Sequence, residues 1–163
     1  MVEPAPADGP GPTPARAEAD HVLPLRVYYE DTDAAGMVYH ANYLKFTERA
    51  RTECLRELGF EHRQLVEEAR IRFAVRRCEI DFLSPARLDD AIEVHTRLID
   101  ARSASMQALQ VVRRPKRDGC GELVRMKVWL ACVDQTGRPA RPPAGLRRAL
   151  TARIGANPSG RVG

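Results

Sequence analysis

The chain has 163 residues, of which 44% are apolar and 29% are charged. This composition suits one globular domain and excludes fibrous or wholly disordered classes. The net charge of +4 is uneven, because residues 1–20 carry −3, residues 138–163 carry +6, and the segment between them carries +1. A nearly neutral body argues against a nucleic-acid-binding domain, whose excess positive charge lies on its folded face.

Nothing in the sequence predicts membrane insertion or secretion. The longest apolar run, residues 128–133, is far shorter than the ~20 residues that span a bilayer. The start of the chain lacks the basic and apolar regions of a secretory signal. The sequence therefore predicts a soluble, cytoplasmic protein without an integral membrane segment.

Both ends of the chain have the composition of disordered segments. Residues 1–20 hold five prolines interleaved with alanine and glycine, and such a segment buries too little apolar surface to offset its ordering entropy. Residues 156–163 have a similar composition. One domain is therefore predicted over residues 21–155, and the arginine-rich C-terminal tail is interpreted as solvated.

The domain is predicted to begin with a strand over 23–30, followed by a polar turn over 31–36 and a long helix. The helix is indicated by apolar residues that recur every three or four positions over 43–58. Leu44 and Leu55 widen this stripe, while the opposite face is charged. One apolar stripe predicts a helix that packs on a single partner layer.

Two residues mark the predicted ends of this helix. Asn42 precedes the stripe and is a candidate N-cap, since a short polar side chain can accept a bond from the first free N–H groups. Gly59 follows the stripe and fits the C′ position, where a left-handed backbone ends a helix.

After the helix the apolar period changes to two, which is typical of half-buried strands. The first of these strands spans 71–82, and its phase flips across Arg76–Arg77, which predicts a β-bulge. Consecutive strands joined by short turns favour antiparallel pairing. The fold class is therefore α+β, with a five-stranded antiparallel sheet whose concave face buries the helix. The remaining predicted elements are strands over 92–98, 103–113 and 124–132 and a short helix over 144–154.

The four cysteines are scattered, with no C-x-x-C pair and no histidine at ligand spacing. That pattern argues against a zinc site and gives no disulfide framework. We expect no metal and interpret the cysteines as buried free thiols in a reducing compartment. They are Cys54, Cys78, Cys120 and Cys132.

Two aspartates, Asp31 and Asp33, lie in the loop between the first strand and the helix. Ordinary turn chemistry explains such a pair, because aspartate bends loops and caps helices. However, tyrosines and His40 crowd this loop, and the helix N-terminus offers free N–H groups and a positive dipole end. A developing oxyanion is stabilised in such a place, and a nearby carboxylate can act as nucleophile or general base.

The same residues carry a resemblance to a known family. The pattern D-x-D-x-x-G-x-V-x-H-x-x-Y runs from Asp31 to Tyr43 and continues into Glu48-Arg49-Ala50-Arg51. It resembles the signature of hotdog-fold acyl-CoA thioesterases of the 4-hydroxybenzoyl-CoA thioesterase family. Within that family it is most similar to the bacterial branch associated with the Tol–Pal cell-envelope system. The order of predicted elements agrees with the hotdog fold over residues 22–150.

The resemblance implies a role for each residue of the loop. The catalytic carboxylate of the family falls on Asp33, which makes Asp31 a structural residue. The backbone N–H that polarises the thioester carbonyl falls on His40, whose side chain assists proton transfer in this branch. Gly36 and Tyr39 are then candidate substrate contacts, and no cofactor is expected.

Two further residues are weaker candidates. The family binds the CoA phosphates with basic residues near the start of the fourth strand, where this chain has Arg102. The residues that follow, Ser103 and Ala104, depart from the basic cluster of some relatives, so an acyl carrier protein is an alternative thioester donor. Another thioesterase branch uses a carboxylate on the central helix, which makes Glu48 the reserve candidate.

The resemblance also implies an assembly and leaves one other function open. Hotdog relatives pair their sheets edge to edge, so a homodimer or homotetramer with interfacial active sites is expected. The alternative function is a non-catalytic module that binds acyl carrier protein or an envelope component. A hotdog dehydratase is disfavoured, because those enzymes pair a histidine with an acid on different elements.

Overall fold

A computed structural model describes residues 21–115 and 121–156. The predicted tails, apart from Ala156, and Cys120 lie outside the described residues. The described residues form five strands, three α-helices and one 3-10 turn at Tyr29–Asp31. The strands are β1 (His21–Arg26), β2 (Ile71–Phe82), β3 (Ala91–Ala101), β4 (Ser105–Arg113) and β5 (Glu122–Asp134), and the helices are α1 (Asn42–Glu57), α2 (His62–Glu67) and α3 (Ala144–Gly155).

The five strands form one antiparallel sheet in the order β1-β3-β4-β5-β2, which confirms the predicted fold class. The register shift between Val75 and Arg77 confirms the predicted bulge. A second shift between Leu98 and Asp100 was not predicted. Short α2 was not predicted either, and the first strand ends four residues earlier than expected.

Helix α1 packs its stripe on the concave face of the sheet, against β1, β3 and β4. The buried positions include Phe46, Ala50 and Cys54 as predicted. Asn42 is the first residue of the helix rather than its cap, which is Ala41. At the other end, Gly59 has φ +88° and the bonds from its N–H to Arg56 and from the next N–H to Leu55 form the predicted Schellman-type stop.

The concave face has a covered half and an open half. Under α1, the inward residues of β3 and β4 are buried, whereas β2 extends beyond the helix as an edge strand. Val75 and Phe82 point to the same side as the buried residues of β5, yet they are 52% and 53% exposed. The prediction of buried thiols is confirmed for Cys54 and Cys132 but is wrong for Cys78, which lies exposed on this half. Burial raises the pKa of the Cys132 thiol to about 11.

Candidate active site

The loop between β1 and α1 is held together from within by Asp31. Its side chain is 6% exposed, and Oδ2 accepts a hydrogen bond from the Tyr28 N–H at 2.8 Å. Its carbonyl accepts bonds from the Tyr39 N–H and from Nδ2 of Asn42, both at 2.9 Å. Asp31 thus ties the start of the loop to the start of α1.

Asp33 lies two residues further on and is exposed. Its Oδ1 accepts bonds from the N–H groups of Ala35 at 2.8 Å and Met37 at 3.3 Å. Within the described parts of the chain, no group donates to Oδ2. One carboxylate oxygen is therefore fixed by the backbone, and the other is available to a ligand or water.

Gly36 makes the turn that presents Asp33. Its φ of +70° lies in the left-handed region, and a Cβ there would meet no atom within 4 Å. The glycine is therefore required for its backbone conformation rather than for lack of space. Its N–H donates to the Asp33 carbonyl at 3.0 Å, and the Asp33 N–H donates to Met37 at 2.8 Å.

His40 lies where the loop meets the N-terminus of α1. Its backbone N–H has no acceptor among the residues that the structure describes, so it is a free donor directly before the cap residue of α1, beside the positive end of the helix dipole. Its ring packs on that of Tyr39, with 4.4 Å between centroids, and makes an edge contact with Phe82 at 6.3 Å. Tyr39 is 47% exposed and so remains accessible beside the loop.

Tyr43 connects this loop to the segment between β2 and β3. Its ring is 3% exposed and contacts Phe82 at 6.0 Å, and its hydroxyl accepts a bond from the Ala86 N–H at 2.8 Å. The Ala86 carbonyl in turn accepts a bond from the Val38 N–H at 2.9 Å. Burial raises the pKa of the Tyr43 phenol, so this anchor keeps its proton. Sequence reasoning missed Phe82 and Ala86, because their proximity depends on tertiary structure.

The two weaker candidates lie apart from this loop. Arg102 follows the end of β3, whereas the loop adjoins its beginning, where Arg26 pairs with Ala91; strand rise separates the two ends by roughly 35 Å. Arg102 donates through Nε to Asp100 at 2.9 Å. Glu48 lies on the exposed face of α1, about two helical turns beyond His40.

Comparison with known proteins identifies the family. The family model described as the thioesterase-like superfamily matches residues 27–150. The chain belongs to this superfamily. The enzyme is 43% identical over 111 residues to the acyl-CoA thioester hydrolase YbgC of Escherichia coli O6:H1, covering 68% of this chain and 80% of that protein. It is 45% identical over 112 residues to the acyl-CoA thioesterase YbgC of Haemophilus influenzae, covering 69% and 79%.

Solved structures show the same hotdog fold. A probable thioesterase from Bartonella henselae is 37% identical and has a TM-score of 0.71, covering 76% of this chain and 99% of that one. A variant 4-hydroxybenzoyl-CoA thioesterase, solved with 4-hydroxybenzoyl-CoA, has a TM-score of 0.75, covering 81% and 99%. At 22% identity, this second likeness concerns the fold alone. None of the described helices has the length and apolar character to cross a membrane.

Proposed function

We propose that this enzyme hydrolyses acyl-CoA thioesters with Asp33 as its catalytic carboxylate. The observation that carries the proposal is the free Oδ2 of Asp33 in the loop that leads to the N-terminus of α1. The backbone holds the other carboxylate oxygen through two N–H groups, which fixes the direction of the free one. Positioned carboxylates of this kind act as general bases or nucleophiles.

The N-terminus of α1 supplies the electrophilic half of the site. The free N–H of His40 donates to the thioester carbonyl oxygen and stabilises the negative charge that develops there during attack. Asp33 delivers oxygen to the carbonyl carbon, either from its own Oδ2 or from a water that it deprotonates. The carbon–sulfur bond then breaks, and the CoA thiolate leaves and takes up a proton. General-base attack gives the carboxylic acid in this step, whereas direct attack leaves a mixed anhydride on Asp33 that a water hydrolyses to the acid and the free carboxylate.

A hydrolysis assay tests this proposal. Hydrolysis of acyl-CoAs of different chain lengths is followed by the loss of thioester absorbance. Thiol reagents that detect released CoA are avoided, because they would also react with the exposed Cys78. We expect turnover on at least one acyl-CoA, with the matching acyl carrier protein thioester hydrolysed more slowly. A chain that hydrolyses neither class of thioester would contradict the proposal and favour the non-catalytic binding module. In a single turnover in ¹⁸O-labelled water, label on Asp33 identifies direct attack, because water has then cleaved the anhydride at the Asp33 carboxyl carbon. Label on the acid alone arises from general-base attack or from cleavage of the anhydride at the acyl carbon, and trapping of an acylated Asp33 separates these two.

We expect the enzyme to act as a homodimer that pairs through β2. This strand has 12 residues and a free edge, whereas the opposite edge, β1, has 6 residues and includes Pro24. A long unpaired edge offers a row of free N–H and C=O groups that favours strand addition. The exposed Val75 and Phe82 add apolar area beside that edge.

Within one chain, Arg102 and Asp33 lie at opposite ends of the sheet. Dimerisation through β2 brings Arg102 of one copy to the end at which Asp33 of the other copy lies. In an antiparallel pairing of two β2 strands, the Phe82 end of one strand lies beside the Ile71 end of the other. The Ile71 end is also the end of the sheet at which β3 turns into β4. Arg102 of a second copy then lies at the same end of the joined sheet as Asp33, where it can bind a CoA phosphate.

Light scattering tests the dimer. The substitution Val75→Asp places a charge on the inner face of β2 and should convert the dimer to a monomer, which the scattering mass reports. Leu88→Asp is the control, because Leu88 is also exposed, at 37%, but lies outside β2. A stable monomer of the wild-type chain at micromolar concentration would contradict this assembly.

Acyl-CoA is an intracellular metabolite, so we place the enzyme in the cytoplasm.

A further inference from the structure

The open half of the concave face is a surface between α1 and β2 on which Leu44, Val75 and Phe82 are exposed, and it begins at the candidate active site. Leu44 and Arg51 lie on one flank of α1, since residues seven apart occupy nearly the same side of a helix. The inner face of β2 contributes Val75, Cys78 and Phe82 opposite them. We call this surface the β2 groove. Phe82 contacts His40, which joins the groove to the site where the thioester carbonyl would lie.

Arg51 is the one arginine of α1 that reaches the sheet. Its Nη1 donates to Oε1 of Gln110 at 2.8 Å, and Gln110 is fully buried on β4. The Gln110 amide donates in turn to the Thr47 carbonyl and to Oγ1 of Thr96, both at 2.9 Å. Because Nε2 of Gln110 has these two acceptors, its Oε1 is left to receive the guanidinium. This hydrogen-bond network therefore fixes the position of the Arg51 guanidinium.

The guanidinium has more donors than partners. It carries five N–H groups, and the described residues provide one acceptor, Gln110, and no carboxylate within ion-pair distance. Burial lowers the pKa of Arg51, while Cys78 and Glu48 act in the opposite sense. A partly buried cation without a paired anion costs stability. Among the described side chains, the one fully buried polar atom without a partner is Nδ1 of His21, so the unpaired nitrogens of Arg51 keep some exposure to solvent.

We infer that the β2 groove binds the acyl group and that Arg51 selects acyl groups that end in a carboxylate. This inference rests on the proposed hydrolysis of acyl-CoA. Arg51 follows His40 by 11 positions in the chain, or roughly 16 Å along the helix, and helix side chains lean back toward the N-terminus. A medium-length acyl chain that leaves the carbonyl at His40 thus ends near the guanidinium. A carboxylate there would supply the anion that Arg51 lacks and would form charge-assisted hydrogen bonds.

The test compares sebacoyl-CoA with decanoyl-CoA, which have the same length of ten carbons and differ in the terminal carboxylate. The wild-type enzyme should have a higher kcat/KM for sebacoyl-CoA. Arg51→Met should lower that value about tenfold or more, as expected for loss of a charged hydrogen bond, while decanoyl-CoA changes less than about threefold. Arg51→Lys keeps the charge and should retain part of the preference. The matched control is Arg49→Met, since Arg49 lies on the exposed face of the same helix.

Three results would overturn the inference. The first is a wild-type enzyme that hydrolyses both thioesters without preferring sebacoyl-CoA. The second is an equal loss on both substrates in Arg51→Met. The third is an unchanged substrate ratio with dissociation of the dimer, which would mean that Arg51 pairs with a carboxylate of the second copy. The wild-type comparison needs no variant to fold, and failure to hydrolyse any acyl-CoA would contradict the proposed function instead.

Discussion

The loop between β1 and α1 carries one aspartate in each half, and the two aspartates differ in their exposure to solvent. The Asp31 half is buried, and its carboxylate and carbonyl hold Tyr28, Tyr39 and Asn42 in place. The Asp33 half is exposed, and its carboxylate keeps one oxygen free. The motif thus divides into a part that holds the backbone and a part whose carboxylate is open to a ligand or water. Paired substitutions can separate the two, because one should change stability and the other turnover.

The largest effect is expected from Asp33→Asn. Asparagine keeps the shape and can still accept the Ala35 N–H bond, but it loses the charge and the basic oxygen. We expect kcat to fall by about 10²-fold or more, since positioned general-base catalysis contributes typically 10²–10⁴-fold. KM should change little, because substrate contacts lie mostly elsewhere. Steady-state kinetics on the best acyl-CoA measures both, and thermal unfolding should show a melting temperature near that of the wild type.

The opposite result would identify a different catalytic group. Near-normal turnover in Asp33→Asn would mean that the exposed half of the loop takes no part in the chemistry. Glu48 would then be the next carboxylate to substitute, although its place on the outer face of α1 separates it from the free N–H of His40.

An intermediate effect is expected from His40→Ala. The backbone N–H that we assign to the carbonyl oxygen persists in this variant, so only the contribution of the ring is lost. The ring packs between Tyr39 and Phe82, and its removal should also loosen the mouth of the β2 groove. We expect kcat/KM to fall about tenfold, a loss of ~1.4 kcal/mol of transition-state stabilisation. A loss as large as that of Asp33→Asn would instead assign the ring a direct part in proton transfer.

The sequence predicted the covered half of the fold better than the open half. Clean alternation in β3 and β5 and the stripe of α1 predicted the sheet, the helix and their contact, because both faces of that contact are buried. The same reasoning was wrong for Cys78 and for Leu44, which is 41% exposed, because periodicity gives the side of an element but not how far its partner extends. Short α2 was missed, since six residues are too few to define a helical period.

The candidate site was predictable only for residues that are close together in the chain. The motif placed Asp33 and His40 in one loop, because they are close in the chain and share local turn chemistry. It could not reveal that Phe82 reaches His40 or that Gln110 fixes Arg51. Those contacts join residues 42 and 59 positions apart, and a single sequence carries no local signal for them.

The smallest effect on turnover is expected from Asp31→Asn, which is the matched partner of Asp33→Asn. The Asp31 carboxylate accepts the Tyr28 N–H in a buried place; asparagine can still accept that bond, but without the charge that strengthens it. We expect a stability loss of about 1 kcal/mol and a melting temperature lower by a few degrees. Below that temperature kcat should stay within a few-fold of the wild type, because the Asp31 carbonyl still holds Tyr39 and Asn42. Calorimetry and kinetics should therefore show lower stability with nearly normal turnover in Asp31→Asn, and nearly normal stability with low turnover in Asp33→Asn. Should Asp31→Asn abolish turnover in a fully folded enzyme, the buried carboxylate would belong to the chemistry and the division of the loop into two halves would be wrong.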